Sequence, residues 1–133
     1  MLGKTYRFVA QNNTGVALAA TDSITITAIR KSFSSTGFGF ETAQSTELSG
    51  GASLPSASFL VGATIDNSTT GWEFGDFTVS ATITTATPTG TVNFWYQTSS
   101  DGGATWANNG LGVPVASLGF TATGTQTTNF SIE

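Results

Sequence analysis

The chain has 133 residues and a net charge of −4, and it contains neither cysteine nor histidine. Without cysteine there are no disulfide bonds or thiolate metal sites, and without histidine there is no serine–histidine–aspartate catalysis. The acidic balance disfavours a nucleic-acid partner, because neutralising phosphates requires clustered Lys and Arg.

Apolar and hydroxyl side chains alternate with a period of two, which predicts strands with one face in a core and one face in water. In chain order, the predicted strands are residues 5–10, 24–28, 36–41, 58–65, 77–84, 91–99, 113–122 and 127–132. Seven to nine short strands separated by turn residues predict an all-β fold, either a β-sandwich or a jelly roll. We expect a single domain over residues 1–133, because a chain of 133 residues fits one domain and leaves little room for two.

Two segments depart from this pattern. Residues 16–20 predict one short helical turn, and residues 44–57, rich in Ser and Gly, predict a surface loop. Within the strand 91–99, the alternation places Phe94 and Tyr96 on one face and Trp95 on the other. The side chains that we expect in the core are Phe77, Val79, Ile83, Val92, Phe94 and Tyr96.

All four basic residues lie in the first 31 positions, whereas residues 44–133 contain six acidic residues and no base. Two interpretations stay open: chance in a chain with only 9% charged residues, or a basic docking face at one end of the domain. The start of the chain lacks the long apolar region of a signal peptide, and no apolar run approaches the roughly 18 residues of a membrane helix. We therefore expect no membrane partner.

The carboxylates offer little catalytic chemistry. Glu73 and Asp76 are the nearest acidic neighbours in the sequence, but their side chains point to opposite faces if the segment is extended. Asp66 and Asp101 stand in turn sequences without the spacing of a calcium loop, which indicates turn capping. We therefore expect no enzyme activity, no metal site and no cofactor.

Residues 99–106 read Ser-Ser-Asp-Gly-Gly-Ala-Thr-Trp and match the pattern Ser-x-Asp-x-Gly-x-Thr-Trp. This segment resembles the Asp box of sialidases, which carry several such boxes, whereas this chain has one. The resemblance implies a structural β-hairpin and no activity. In such a turn Asp101 accepts backbone N–H groups, Gly103 supplies a positive φ, and Trp106 covers the base of the hairpin.

The three tryptophans, Trp72, Trp95 and Trp106, have two possible roles. Trp95, on the face opposite Phe94, is the best candidate for a platform on which a sugar stacks. The more common fate of such a residue is to be covered by another part of the protein or by a neighbouring subunit, and we expect packing.

The segments 65–77 and 89–106 resemble small virion proteins of tailed phages. Decoration proteins of that kind are β-sandwiches or jelly rolls that sit on capsid subunits. The resemblance implies a non-enzymatic, homo-oligomeric decoration (cement) protein in the virion, on the outer surface of the head. Two alternatives stay open: a neck, tail or fibre component, and a carbohydrate-binding module.

A decoration protein needs a surface that meets the major capsid protein lattice. The basic residues of the N-terminal third, together with two apolar residues of its first strand, are the candidates. The predicted capsid-contact residues are Lys4, Tyr6, Arg7, Phe8, Arg30 and Lys31.

Overall fold

The computed structural model describes residues 1–34, 36–69, 71–84, 86–108 and 111–133, and these contain ten strands. The strands are β1 (Thr5–Asn13), β2 (Ser23–Ser34), β3 (Gly37–Phe40), β4 (Ser45–Gly50), β5 (Phe59–Val61), β6 (Ile65–Asp66), β7 (Phe74–Ile83), β8 (Thr91–Ser99), β9 (Ala116–Gly119) and β10 (Gly124–Ile132). No helix occurs in the described residues, and so none is long and apolar enough to cross a membrane.

The strands form two antiparallel sheets that pack face to face. Sheet 1 has the order β5-β1-β8-β9. The short strand β6 also pairs with β1, as β5 does. Sheet 2 has the order β10-β7-β2-β3, with β4 also paired to β2. The predicted all-β sandwich is confirmed, and this strand order does not specify a jelly roll.

The core lies between the inward faces of the sheets, and its pattern follows the predicted alternation. Phe77, Val79, Ile83, Val92 and Phe94 are buried, as expected. Tyr96 packs against the same cluster while remaining partly buried, because its hydroxyl reaches the edge of the core and accepts a hydrogen bond from the backbone N–H of Gly3 at 2.8 Å.

Two predictions about local structure are corrected. Residues 45–50 form β4 and not a loop, so that the irregular part of the Ser/Gly-rich segment is shorter than predicted. Residues 16–20 form no helical turn. Instead, the buried amide of Asn12 donates to the backbone oxygens of Val16, Leu54 and Pro55, which fixes this segment as an irregular connection.

The predicted strand 58–65 is divided into β5 and β6, and the register on β1 shifts by one residue between them, since Val9 pairs with Val61 whereas Tyr6 pairs with Ile65. A Cβ atom at Gly62 would lie 2.8 Å from the backbone oxygen of Phe8 and 2.9 Å from a methyl group of Leu48. The chain therefore approaches the core so closely here that only glycine fits.

Candidate interaction surfaces

The six predicted capsid-contact residues do not share one surface. Tyr6 and Phe8 are 0% exposed, because they lie on the inward face of β1 and pack in the core. Their predicted contact with a partner is therefore wrong. Arg7, between them, points outward from sheet 1, where its Nε donates to Gln97 Oε1 at 2.8 Å and its guanidinium lies 4.2 Å from the ring centre of Trp106.

Arg30 points inward and belongs to a buried ionic network. Its Nη2 donates to Glu41 Oε1 at 2.6 Å, and its Nη1 donates to the hydroxyl of Tyr6 at 3.3 Å. The Tyr6 hydroxyl in turn donates to Glu47 Oε2 at 2.8 Å, and Ser45 donates to Glu47 Oε1 at 2.7 Å. The Nε of Arg30 is buried 3.7 Å from Glu47 without a hydrogen-bond partner among the described residues.

This network fixes the charge states of Arg30 and Tyr6. Hydrogen bonding to Glu41 raises the pKa of Arg30, so the guanidinium stays charged. Burial, together with the nearby charge of Glu47, raises the pKa of Tyr6, so its hydroxyl stays neutral and available as a donor. The network therefore closes one end of the sandwich and leaves Arg30 unavailable as a surface contact.

The two remaining residues of the predicted capsid-contact set are lysines. Lys31 follows Arg30 in β2 but points outward from sheet 2, where its ammonium pairs with Asp76. Lys4 is exposed, and no described residue forms an ion pair with it. Because Arg7 and Lys31 lie on opposite outer faces of the sandwich, the basic residues do not form a single docking face.

The segment 99–106 forms a hydrogen-bonded turn at the end of β8. Asp101 accepts the backbone N–H and the hydroxyl of Thr105, at 2.8 and 2.6 Å, while Ser99 accepts the backbone N–H of Gly103 at 2.8 Å. Gly103 has φ 101°, as the sequence predicts. The turn begins the long β8–β9 connection and is not a tight hairpin. The guanidinium of Arg7 lies over the ring of Trp106.

Four carboxyl groups have lowered pKa values, which predicts a loss of stability in acid. Bonds from Thr105 and Ser99 lower the pKa of Asp101, and bonds from Ser68 lower that of Asp66. The bond from Lys31 lowers the pKa of Asp76, and bonds from Arg30 outweigh burial to lower that of Glu41. As the pH falls below about 4.5, the unfolded chain therefore takes up protons before the folded protein does. The folded protein then loses stability that it has at neutral pH.

Urea unfolding at pH 7, 4 and 3 would measure this loss. Asp101→Asn should lose less stability between pH 7 and pH 3 than the parent protein, because one of the four groups no longer titrates. An identical loss in both proteins would contradict the assigned role of Asp101.

None of the three tryptophans offers a free sugar-stacking platform in the described residues. Trp95 points outward, as predicted, but is only 7% exposed, because the β8–β9 connection covers it and its Nε1 donates to the backbone oxygen of Gly112 at 2.8 Å. Trp72 packs against the core, and Arg7 stacks on Trp106. A groove of about 540 Å³ remains beside Trp95, lined mainly by apolar side chains such as Phe59.

Glu73 and Asp76, the nearest acidic neighbours in the sequence, have different partners in the structure. Asp76 binds Lys31 and Ser131, whereas Glu73 accepts the backbone N–H of Phe33 at 3.4 Å. The acidic residues that do come together are Glu41 and Glu47, and sequence reasoning missed them. Among the described residues, no group of three or more metal-ligating side chains could hold a metal ion.

Exposed aromatic side chains form a cluster on the outer face of sheet 2, which consists of Phe33, Phe38, Phe40 and Phe74. Phe33, Phe38 and Phe40 are 57%, 47% and 56% exposed. The ring centres lie 4.6 Å apart for Phe33 and Phe38, 5.3 Å for Phe33 and Phe74, and 4.9 Å for Phe38 and Phe40. These residues were not predicted as a site, although Phe38 and Phe40 share one face of a predicted strand.

The position of the aromatic cluster follows from the lengths of the strands. β2 pairs with β7 only as far as Lys31, and its last residues pair with β3 alone. The β2–β3 hairpin therefore projects beyond β7 and carries the cluster at one end of the sandwich.

Neither a family model, nor a curated protein, nor a solved structure matches this chain, so its function is inferred from its own residues.

Proposed function

We propose that this protein is a non-enzymatic structural component of a tailed-phage virion: a decoration (cement) protein that binds the outer surface of the head through the aromatic cluster. The observation that carries the proposal is the exposure of three phenylalanine side chains beside one another. Contiguous exposed apolar patches are rare on soluble monomers and mark interaction sites, and aromatic residues supply much of the energy at protein interfaces.

The cluster is suited to binding because its rings already pack against one another on paired strands. Phe33 lies on the same strand that runs through the centre of sheet 2, and the rings pack against one another edge to face. Rings that are already ordered lose little conformational entropy when a partner covers them, so more of the burial energy appears as affinity.

Polar groups border the cluster on one side. The ion pair of Lys31 and Asp76 lies beside it, and a groove of about 250 Å³ runs from Phe33 and Phe74 to Glu133. An apolar centre with a charged rim is the usual anatomy of a protein–protein interface. Such rim charges chiefly set association rate and salt dependence.

The remainder of the outer face of sheet 2 is hydroxyl- and amide-rich, which suits a surface left in water. Across β7 and β10, Thr78 donates to Asn129 at 2.8 Å, and Thr82 and Thr125 share a hydrogen bond of 2.8 Å. The apolar contact with the capsid would therefore centre on the cluster and not on the rest of this face.

Binding to undecorated capsids of the parent phage tests the proposal. The double variant Phe33→Ser/Phe38→Ser should bind at least about 30-fold more weakly, the loss expected for a hot spot worth ~2 kcal/mol. The control Thr78→Ala/Thr82→Ala alters the same outer face away from the cluster and should bind as the parent protein does. Cosedimentation gives the affinity, and cryo-electron microscopy of the capsids shows the position.

Three outcomes would contradict the proposal. Full binding by the phenylalanine variant would remove the cluster as the docking surface. Capsids that stay bare, with the protein found in tails by mass spectrometry of the particle, would favour a neck, tail or fibre component. Binding to immobilised glycans but not to capsids would favour the carbohydrate-binding alternative.

A further inference from the structure

β10 forms one edge of sheet 2. It pairs with β7 without interruption, from Gly124 opposite Ile83 to Ile132 opposite Gly75, and no described strand pairs with its other side. The strand is nine residues long and contains no charged residue, no proline and no bulge. Alternate backbone N–H and C=O groups of β10 are therefore directed away from β7 and towards the free edge.

The other edge strands of the sandwich are protected in the ways that proteins commonly use. β5 and β6 have three and two residues, and β3 and β9 have four each. β4 has six residues, and its pairing with β2 shifts register between Ile26 and Thr27. Within the described residues, β10 is thus the one long and regular edge, and a long regular edge is a template for pairing with another chain.

We propose that β10 pairs antiparallel with β10 of a second copy of this chain, so that two copies of sheet 2 join into one continuous sheet. A two-fold axis at Thr128, the middle residue of the strand, would pair the whole of β10 with itself. Because β10 carries no charge, no like charges meet across the axis despite the net charge of −4 on each copy.

The side chains of β10 also match themselves about this axis. On the outer face, Thr127 would lie opposite Asn129 of the second copy, and Thr125 opposite its Ser131, so that hydroxyl and amide groups meet. On the inner face, Phe130 stacks on Phe77 with the ring centres 5.0 Å apart but remains partly exposed. A second copy would cover this open side of the sandwich.

This arrangement would also place two aromatic clusters on one side of the dimer, because a two-fold axis perpendicular to the joined sheet keeps both outer faces on the same side. Two linked clusters would bind a lattice of repeated subunits more tightly than one. This step alone rests on the proposed head binding, whereas the pairing of β10 does not.

The oligomeric state of the purified protein, measured without capsids, tests the pairing. Light scattering during size-exclusion chromatography should give twice the 13.6 kDa mass of one chain. The variant Thr127→Lys/Asn129→Lys places like charges directly opposite each other across the axis and should lower the association constant at least about tenfold. The control Thr25→Lys/Thr27→Lys adds the same charge to the outer face of the central strand β2 and should remain a dimer.

The absence of cysteine from the chain allows a direct test of the register. Thr128→Cys should form a disulfide-linked dimer on mild oxidation, because its Cβ atoms would meet at the axis, whereas Thr25→Cys should not. A monomeric parent protein at its highest soluble concentration would overturn the proposal. A dimer that Thr127→Lys/Asn129→Lys leaves intact, and that Thr128→Cys fails to cross-link, would also overturn the proposal. A dimer that does not bind capsids would leave the pairing intact and contradict only the proposed function.

Discussion

Replacing Arg30 by alanine should lower the free energy of unfolding by about 3–5 kcal/mol, the range seen when one partner of a buried ion pair is removed. Glu41 would lose its 2.6 Å bond, and Glu47, which is 5% exposed, would lose its nearest positive charge. Two carboxylates would then share one end of the core without a cation. Urea denaturation at pH 7 measures the loss.

Lys31 supplies a matched control for this prediction, because it follows Arg30 in β2 and carries the same charge. Its ion pair with Asp76 lies on the outer face of sheet 2, where Asp76 is more than half exposed. Solvent-exposed pairs contribute about 0–1 kcal/mol, so Lys31→Ala should cost less than about 1 kcal/mol. Equal losses in the two variants would show that Arg30 is not part of a buried network.

Replacing Phe94 by alanine should cost about 3–5 kcal/mol, because it removes a large side chain from the centre of the core and leaves a cavity. Phe94 is 0% exposed and lies on the inward face of β8, next to the fully buried Val92 in the core cluster. The neighbouring residue Asn93 points to the opposite face, where it accepts a hydrogen bond from Ser117 at 2.7 Å.

The control for this second prediction is Asn93→Ala, which should cost less than about 1 kcal/mol, since surface substitutions seldom cost more. A loss below about 1 kcal/mol for Phe94→Ala would mean that the faces of β8 are reversed, because a shift of one residue exchanges the two faces of a strand. Equilibrium unfolding in urea distinguishes the two results.

Strand alternation predicted much of the fold because each sheet has one face in the core. The pattern at 77–84 and 91–99 identified β7 and β8 and the residues that they bury. It failed for β4, where Glu47 occupies a buried position that the alternation rule reserves for an apolar side chain. The partners that make this burial possible, Tyr6 and Arg30, are far away in the sequence.

The predicted contact residues illustrate a different limit. Tyr6, Arg7 and Phe8 are consecutive, and alternation already implies that Arg7 points away from the other two. Grouping them by position in the chain, and not by the face of the strand, produced a contact surface that does not exist. The same holds for Arg30 and Lys31, which point to opposite sides of sheet 2.

The aromatic cluster could be predicted only in part. Phe38 and Phe40 have the spacing of one strand face, and this signal is present in the sequence. Whether that face meets the core or the solvent depends on where β7 begins relative to the end of β2. That offset is a property of the register between distant strands.

The continuity of β2 from the middle of sheet 2 to Phe33 determines how the domain responds to mechanical force. A pull on the aromatic cluster would run along β2, while the hydrogen bonds that hold residues 23–31 to β7 run across that direction. Bonds loaded in shear must break together, whereas a hairpin peeled from one end loses them one at a time. Tension applied to the aromatic cluster along β2 would therefore load these hydrogen bonds in shear and not peel them one by one.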